Sequence, residues 1–397
     1  MQPAATPSAP DPQSALSKAR IRFDRNECAG AFGDMGTDVP LLIGLSLAAG
    51  LDGTSVLVMF GLMQILTGVF YRMPMPVQPL KAMAAIVIAK QASADTLYGG
   101  GLAIGLTMLV LASTGLLDAL ARIIPKCVVR GVQLGLGLQL ASVALGKFVP
   151  ADGRLGYGLA ALSFVLIVLL LGNRRVPAAL PVVVLGLVYA ITFKLSGSEL
   201  IASLDFALPK LRRLQPIDVW TGFVVLALPQ IPLSLANSVL ATRQLAEDLF
   251  PARRFTLRRI GLTYAVMNLV NPWFGGVPTC HGSGGMAGHF AFGGRSGGSV
   301  VLYGGFLLVL GLFFGSGFDV IAKVFPLPML GVVLLFEALA LVWLIRDVAS
   351  DRAQFPITIL VGLIAAGLPY GYAIGLVLGS LLARFSGRAR LISPDAS

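Results

Sequence analysis

Long apolar stretches alternate with short polar loops along most of the chain, a pattern typical of a protein that crosses a membrane many times. Helices of about 20 residues are long enough to span a hydrocarbon core about 30 Å thick. The longest polar loop, residues 197–216, separates seven apolar segments from seven more. The predicted segments are residues 26–50, 54–72, 76–90, 99–121, 124–146, 155–172, 176–196, 217–246, 253–272, 278–291, 297–317, 323–346, 352–367 and 369–386.

Glycine and proline interrupt two of these segments at matching places. Shifting the chain by 204 positions places Phe70 on Phe274 and Pro74 on Pro278. In both stretches a proline-containing lead-in precedes about a dozen residues, residues 79–90 and 279–290, which as helices would be about 18 Å long. Irregular backbone at membrane depth survives only where it is buried in protein or lines a cavity. The pair therefore predicts a transporter site between two half-helices.

An odd number of segments in each half predicts that the second half is inverted relative to the first. The predicted fold is all-α and polytopic, with two inverted repeats at residues 23–196 and 217–386 and an external linker at 197–216. Residues 1–22 are predicted to be a disordered cytoplasmic tail, and residues 387–397 a second cytoplasmic tail. This topology places 21 of the 30 Lys and Arg residues inside, eight outside and Lys81 in the membrane, in agreement with the positive-inside rule.

Composition excludes a soluble multidomain protein, because 56% of the residues are hydrophobic, 12% are charged and the mean hydropathy is +0.83. The net charge of +11 is explained by topology rather than by nucleic-acid binding. Cys28, Cys127 and Cys280 lie far apart without metal-ligand spacing, so we expect free thiols, no metal and no cofactor. We expect a multi-pass protein of the cell (inner) membrane, and we leave a homodimer open.

The N-termini of two facing half-helices favour an anion, because their N–H groups are unpaired and carry partial positive charge. Lys81 adds a full charge at the first half-helix, and Thr279 is the predicted N-cap of the second. For the glycines, close helix packing is the alternative. The predicted substrate-binding residues are Thr37, Gln78, Pro79, Leu80, Lys81, Gln230, Ser234, Asn237, Thr279, Cys280, His281, Gly282 and Ser283.

Titratable groups near these half-helices are candidates for coupling transport to a proton. Asp34 and Asp38 lie four residues apart on one helix face, where either could carry a proton or form an ion pair with Lys81. We favour a structural role for Asp38. His281 titrates near neutral pH and is either a proton relay or a hydrogen-bonded orienting side chain.

Two further sets of polar residues leave alternatives open. Gln230, Ser234 and Asn237 share one helical stripe, which is either a wall of the cavity or a polar contact between helices. Glu337 is a lone acid in an apolar segment and receives no role from the sequence.

The interrupted stretches, MPMPVQPLKAMAA at residues 73–85 and GGVPTCHGSGGMAG at 275–288, resemble the two signature stretches of MOT1-type molybdate transporters, which are related to sulfate permeases. Residues 30–37, GAFGDMGT, resemble the first-helix motif of that family. The resemblance runs from about residue 23 to residue 385. It implies a sulfate-permease-like core domain and gate domain, and oxyanion import without a STAS domain. Asp38 departs from the family pattern.

These observations predict a secondary active importer of a tetrahedral oxyanion, molybdate first and sulfate second, driven by proton symport. A unit charge moving against 100 mV costs about 2.3 kcal/mol, so a dianion needs a coupling cation in order to accumulate. A carrier of bicarbonate or another small anion is the alternative within the class, and a passive anion channel is the alternative outside it. An enzyme is not expected, because the adjacent residues Cys280 and His281 seldom aim at one target.

Overall fold

A computed structural model describes residues 20–385 except residues 118, 120–123, 172, 174, 175, 177, 252 and 254. Residues 1–19 of the predicted N-terminal tail and the whole predicted C-terminal tail lie outside the described residues. The first half contains α1 (Arg25–Ala31), α2 (Met35–Ala49), α3 (Gly53–Tyr71), β1 (Val77–Pro79), α4 (Lys81–Lys90), α5 (Ala94–Thr114), α6 (Lys126–Phe148), α7 (Gly153–Leu170) and α8 (Leu180–Phe193). The second half contains α9 (Gly197–Ala202), α10 (Pro216–Leu249), α11 (Leu257–Val270), β2 (Thr279–His281), α12 (Ser283–Ala291), α13 (Gly298–Val324), α14 (Leu327–Trp343), α15 (Gln354–Gly367) and α16 (Gly371–Phe385).

Within the described residues, seven helices are long and apolar enough to cross a membrane: α3, α5, α6, α7, α10, α13 and the helical stretch from Leu327 to Asp347 that begins with α14. Helices α8, α15 and α16 are apolar but shorter. The prediction of a mostly helical, multi-pass membrane protein is therefore confirmed. The first predicted segment, residues 26–50, is not one helix, because a turn separates α1 from α2.

Each interrupted stretch folds as a short strand followed by a short helix. Strands β1 and β2 pair antiparallel, with Val77 opposite His281, Gln78 opposite Cys280 and Pro79 opposite Thr279. Proline lacks the N–H that a helix needs and disfavours a helical conformation of the residue before it, so the proline-containing lead-ins are extended. Because the strands run in opposite directions, α4 and α12 leave the pair in opposite directions.

Side chains of neighbouring helices complete the hydrogen bonding of this two-stranded pair. The Gln64 amide accepts from Val77 N (2.9 Å) and donates to Val77 O (2.7 Å). The Asn268 amide does the same for Thr279, at 2.9 Å to its N and 2.6 Å to its O. An unpaired backbone N–H or C=O group at membrane depth costs several kcal/mol. Because the Gln64 and Asn268 amides pair these groups, the irregular backbone is tolerated.

Small residues allow the half-helices and their neighbours to pack with backbone contact. A Cβ added at Gly33 in the α1–α2 turn would lie 2.6 Å from the backbone oxygen of Gly288 in α12. A Cβ added at Gly61 in α3 would likewise lie 2.6 Å from the backbone oxygen of Gly304 in α13. Such close approach is the usual way in which membrane helices associate.

The linker between the two halves is held against one end of the bundle. Lys210 N donates to Ser55 Oγ at 3.0 Å, and Arg212 N donates to Trp273 O at 2.7 Å. Lys210 also forms an ion pair with Asp52 in the α2–α3 loop. Although partial burial raises the pKa of Asp52, hydrogen bonds from Lys210 and Ser55 hold that pKa below its usual value.

Candidate functional site

The strand pair divides the predicted site residues between two faces. Side chains alternate along a strand, so Gln78 and Cys280 share one face, while Thr279 and His281 share the other. The Nε2 atom of His281 lies 2.7 Å from Thr263 Oγ1 in α11. His281 and Thr279 therefore face α11, away from Gln78. The prediction of Thr279 as N-cap is wrong, since Thr279 lies in β2 and the N-cap of α12 is Gly282.

Gln78 and Asp34 form a buried pair over the start of α12. Gln78 Nε2 lies 2.7 Å from each carboxylate oxygen of Asp34. A Cβ at Gly282 would overlap the Gln78 amide, and a Cβ at Gly285 would overlap the Asp34 carboxylate. The glycines at 282 and 285 are therefore required by the Gln78–Asp34 pair, in addition to the packing of α12 against α1.

The N-terminus of α4 is capped by protein. Ala82 N and Met83 N donate to Gln230 Oε1 in α10 at 2.9 and 3.3 Å. Gln230 Nε2 in turn lies 3.0 Å from Ser234 Oγ, and Ser234 Oγ lies 2.8 Å from the Tyr264 hydroxyl. The stripe on α10 thus supplies a buried hydrogen-bond chain at Gln230 and Ser234, which favours the helix-contact alternative for these two residues.

The N-terminus of α12 is more accessible. Among the described residues, the N–H groups of Ser283 and Gly284 have no protein acceptor, and Gly284 is exposed with no atom within 4 Å of an added Cβ. Ser283 Oγ donates to Asn237 Oδ1 at 3.1 Å, and both side chains are half-buried. Exposed first-turn amides at a helix N-terminus are suited to an anion.

Lys81 forms an ion pair that the sequence did not predict. Its Nζ atom lies 3.4 Å from Glu337 Oε2 in α14, and the two side chains are 24% and 18% exposed. The ion pair of Lys81 with Asp34 or Asp38, one of the alternatives left open by the sequence, is not among the ion pairs of the described residues, and the Asp34 carboxylate accepts from Gln78. The only signal in the sequence was the isolation of Glu337 in an apolar segment.

Thr37 and Asp38 lie in the first turn of α2, and Leu80 directly precedes α4. The carboxyl group of Asp38 is buried and lies beside the Tyr303 hydroxyl, with which it interacts. Thr37 is half-buried in the first turn of α2. Leu80 N donates to Pro278 O at 3.0 Å, which ties the first half-helix to the lead-in of the second.

A sequence profile described as "Molybdate transporter of MFS superfamily" matches residues 26–140 and 222–341. The chain belongs to this family. It is 34% identical to molybdate transporter 2 of Arabidopsis thaliana over 96% of this chain and 93% of that protein. It is 35% identical to molybdate transporter 1 of the same plant over 90% of this chain and 87% of that protein. The resemblance noted in the motifs is confirmed, and so is the prediction of a transporter rather than an enzyme.

Solved anion transporters share the fold. The transmembrane domain of the cyanobacterial bicarbonate transporter BicA superposes with a TM-score of 0.64 at 18% identity, covering 88% of this chain and 98% of that domain. Murine Slc26a9 in its inward-facing state gives a TM-score of 0.67 at 14% identity, covering 94% of this chain and 70% of that one. These similarities establish the fold of the transporter.

Proposed function

We propose that this transporter imports a tetrahedral oxyanion, molybdate, by proton symport, and that the oxyanion binds between α4 and α12. The observation that carries the proposal is the pairing of β1 with β2. That pairing brings Lys81 at the start of α4 and the accessible amides of Ser283 and Gly284 at the start of α12 to the same part of the fold. A positive side chain and first-turn amides together suit an oxyanion.

We propose molybdate ahead of sulfate on the basis of the relatives. Charge and shape alone do not separate the two anions. The relatives that match over most of their length are named molybdate transporters. The site offers donors and positive charge, which are suited to any small oxyanion. The similarity to BicA adds bicarbonate to the competitors that an experiment must include.

The membrane arrangement belongs to the same proposal. We infer fourteen segments in two inverted repeats of seven, at residues 23–196 and 217–386, with a core domain and a gate domain. Both termini would be cytoplasmic, and the protein would reside in the cell (inner) membrane. The opposite directions of α4 and α12 support the inversion. A homodimer stays a prediction.

Uptake of labelled molybdate into proteoliposomes tests this function. We expect accumulation driven by an inward proton gradient and competition by sulfate or tungstate that is stronger than competition by bicarbonate. The gradient is required because the cytoplasm is electrically negative and opposes a dianion. Flux that never runs uphill under a proton gradient would instead identify a passive channel.

A further inference from the structure

Lys81 and Glu337 come from distant parts of the chain and meet as a partly exposed ion pair. Lys81 is the first residue of α4, and Glu337 lies in the middle of α14, which packs against α2, α6 and α7. Their side chains are 24% and 18% exposed, whereas Asp34 and Asp38 are 4% and 0% exposed. The Lys81–Glu337 pair is therefore less enclosed by protein than either aspartate.

In the described part of the chain, the Lys81 ammonium group lies among three carboxyl groups. Lys81 interacts electrostatically with Glu337, Asp34 and Asp38. Among the described residues, the Cys280 thiol and the Tyr303 hydroxyl also interact with these groups. On α6, the basic side chains of Lys126 and Arg130 pair with Asp347, beyond the end of α14, rather than with Glu337. An entering dianion adds negative charge to a region that already holds three acids and one base.

We propose that Glu337 is the proton-binding group of the transport cycle and that it competes with the transported oxyanion for the ammonium group of Lys81. The inference rests on the proposed proton-coupled import of an oxyanion. While Glu337 is ionised, it holds Lys81. One proton taken from solution onto a Glu337 oxygen cancels that charge, and the ammonium group becomes available to the oxyanion.

This competition couples the two solutes in both directions. If the proton strengthens anion binding, the anion must strengthen proton binding by the same factor. Proton and oxyanion therefore enter together from the outer side. On the inner side, loss of the proton restores the Glu337 carboxylate, which pairs with Lys81 and displaces the oxyanion.

The other titratable groups are less suited to this role. Both oxygens of Asp34 accept from Gln78, which an ionised carboxylate does best. His281 contacts Thr263 on the opposite face of the strand pair. Asp38 is fully enclosed beside Tyr303.

Equilibrium binding of molybdate to the purified full-length transporter, measured from about pH 6 to pH 8, tests the competition. We expect the wild-type affinity to fall as pH rises, by up to about tenfold per pH unit for one linked proton. Glu337→Gln should bind molybdate with an affinity that no longer depends on pH and that equals or exceeds the wild-type value at neutral pH. Lys81→Gln should bind more weakly at every pH. A Glu337→Gln affinity that keeps the wild-type pH dependence would overturn the assignment.

Transport supplies the second readout. Glu337→Gln should lose accumulation driven by a proton gradient but keep molybdate counterflow at equal pH. The matched control is Glu247→Gln, which removes the partner of Arg243 in a surface ion pair on α10 and should behave as wild type. Full gradient-driven accumulation in Glu337→Gln would contradict the proposal.

Failure of the proposed function and failure of the role of Glu337 give different results. A wild-type protein that neither binds nor imports molybdate or sulfate would remove the proposed function itself. If Glu337→Gln does not fold, proton uptake by the wild type on adding molybdate, followed with a pH dye, decides instead. About one proton bound per anion supports the inference, and none refutes it.

Discussion

At the scale of single residues, the polar pair of Gln78 and Asp34 depends on the absence of side chains at Gly282 and Gly285. Gln78 is three residues before the start of α4, and its amide lies where a Cβ of residue 282 would be. The first turn of α12 is therefore shaped by a side chain of the other half of the protein. Such contacts fix the distance between the two half-helices as well as their chemistry.

Gly282→Ala should abolish most molybdate uptake while the protein still folds. The added methyl group overlaps the Gln78 amide, so Gln78 must leave Asp34, and overpacking of this kind costs about 1–3 kcal/mol. Uptake into proteoliposomes and thermal unfolding in detergent measure the two effects. Gly305→Ala in α13 is the control, because an added Cβ there meets no atom within 4 Å. Wild-type uptake by Gly282→Ala would show that the position of Gln78 is unimportant.

At the scale of secondary-structure elements, the interrupted stretches could be located from sequence, but their internal structure could not. Proline and glycine spacing indicates where helices stop, and the 204-residue shift indicates that two such places correspond. Whether the lead-ins pair as strands depends on contacts across 200 residues. The hydrogen bonds from the side chains of Gln64, Asn268 and Gln230 to backbone also depend on such contacts, since nothing in the local sequence indicates their partners. The partner of Lys81 was missed for the same reason, because Glu337 lies 256 positions away.

Helix α1 anchors the segment that follows α12, and Glu27 makes the connection. Its carboxylate accepts from the backbone N–H groups of Arg295 (2.9 Å), Ser296 (2.8 Å) and Ser299 (2.9 Å), the last in the first turn of α13. Glu27 is fully buried, with Arg22 3.7 Å away. The sequence assigned no role to this acid, which lies at the start of the first predicted segment.

Glu27→Gln should lower stability by about 1–3 kcal/mol, because its NH2 group cannot accept the bonds that one carboxylate oxygen accepts now. Glu27→Ala should cost more, since all three N–H groups then lose their acceptor. Unfolding of the purified protein measures the change. Asp205→Asn in the exposed linker is the matched loss of a carboxylate and should have no effect. Equal stability of Glu27→Gln and wild type would mean that water replaces the lost bonds.

At the scale of the whole molecule, the antiparallel strand pair relates the two halves. Helix α4 follows β1 and α12 follows β2, so the two half-helices point away from each other along the membrane normal if the strands lie near its centre. This is what two halves of seven segments require, since an odd number of crossings inverts the second half. The family profile matches one stretch in each half, which is consistent with a repeat but does not orient it.

Labelling of single cysteines from outside intact cells tests this orientation. With Cys28, Cys127 and Cys280 replaced by alanine, Asp95→Cys, in the first turn of α5 beyond the end of α4, should react with a membrane-impermeant maleimide. Ala291→Cys, the last residue of α12, should react only after the cells are permeabilised, because α12 runs toward the cytoplasm. Both positions are exposed in the structure, so burial does not explain a difference. Labelling of both from outside would refute the inverted arrangement, and with it the meeting of two half-helix N-termini at one central site.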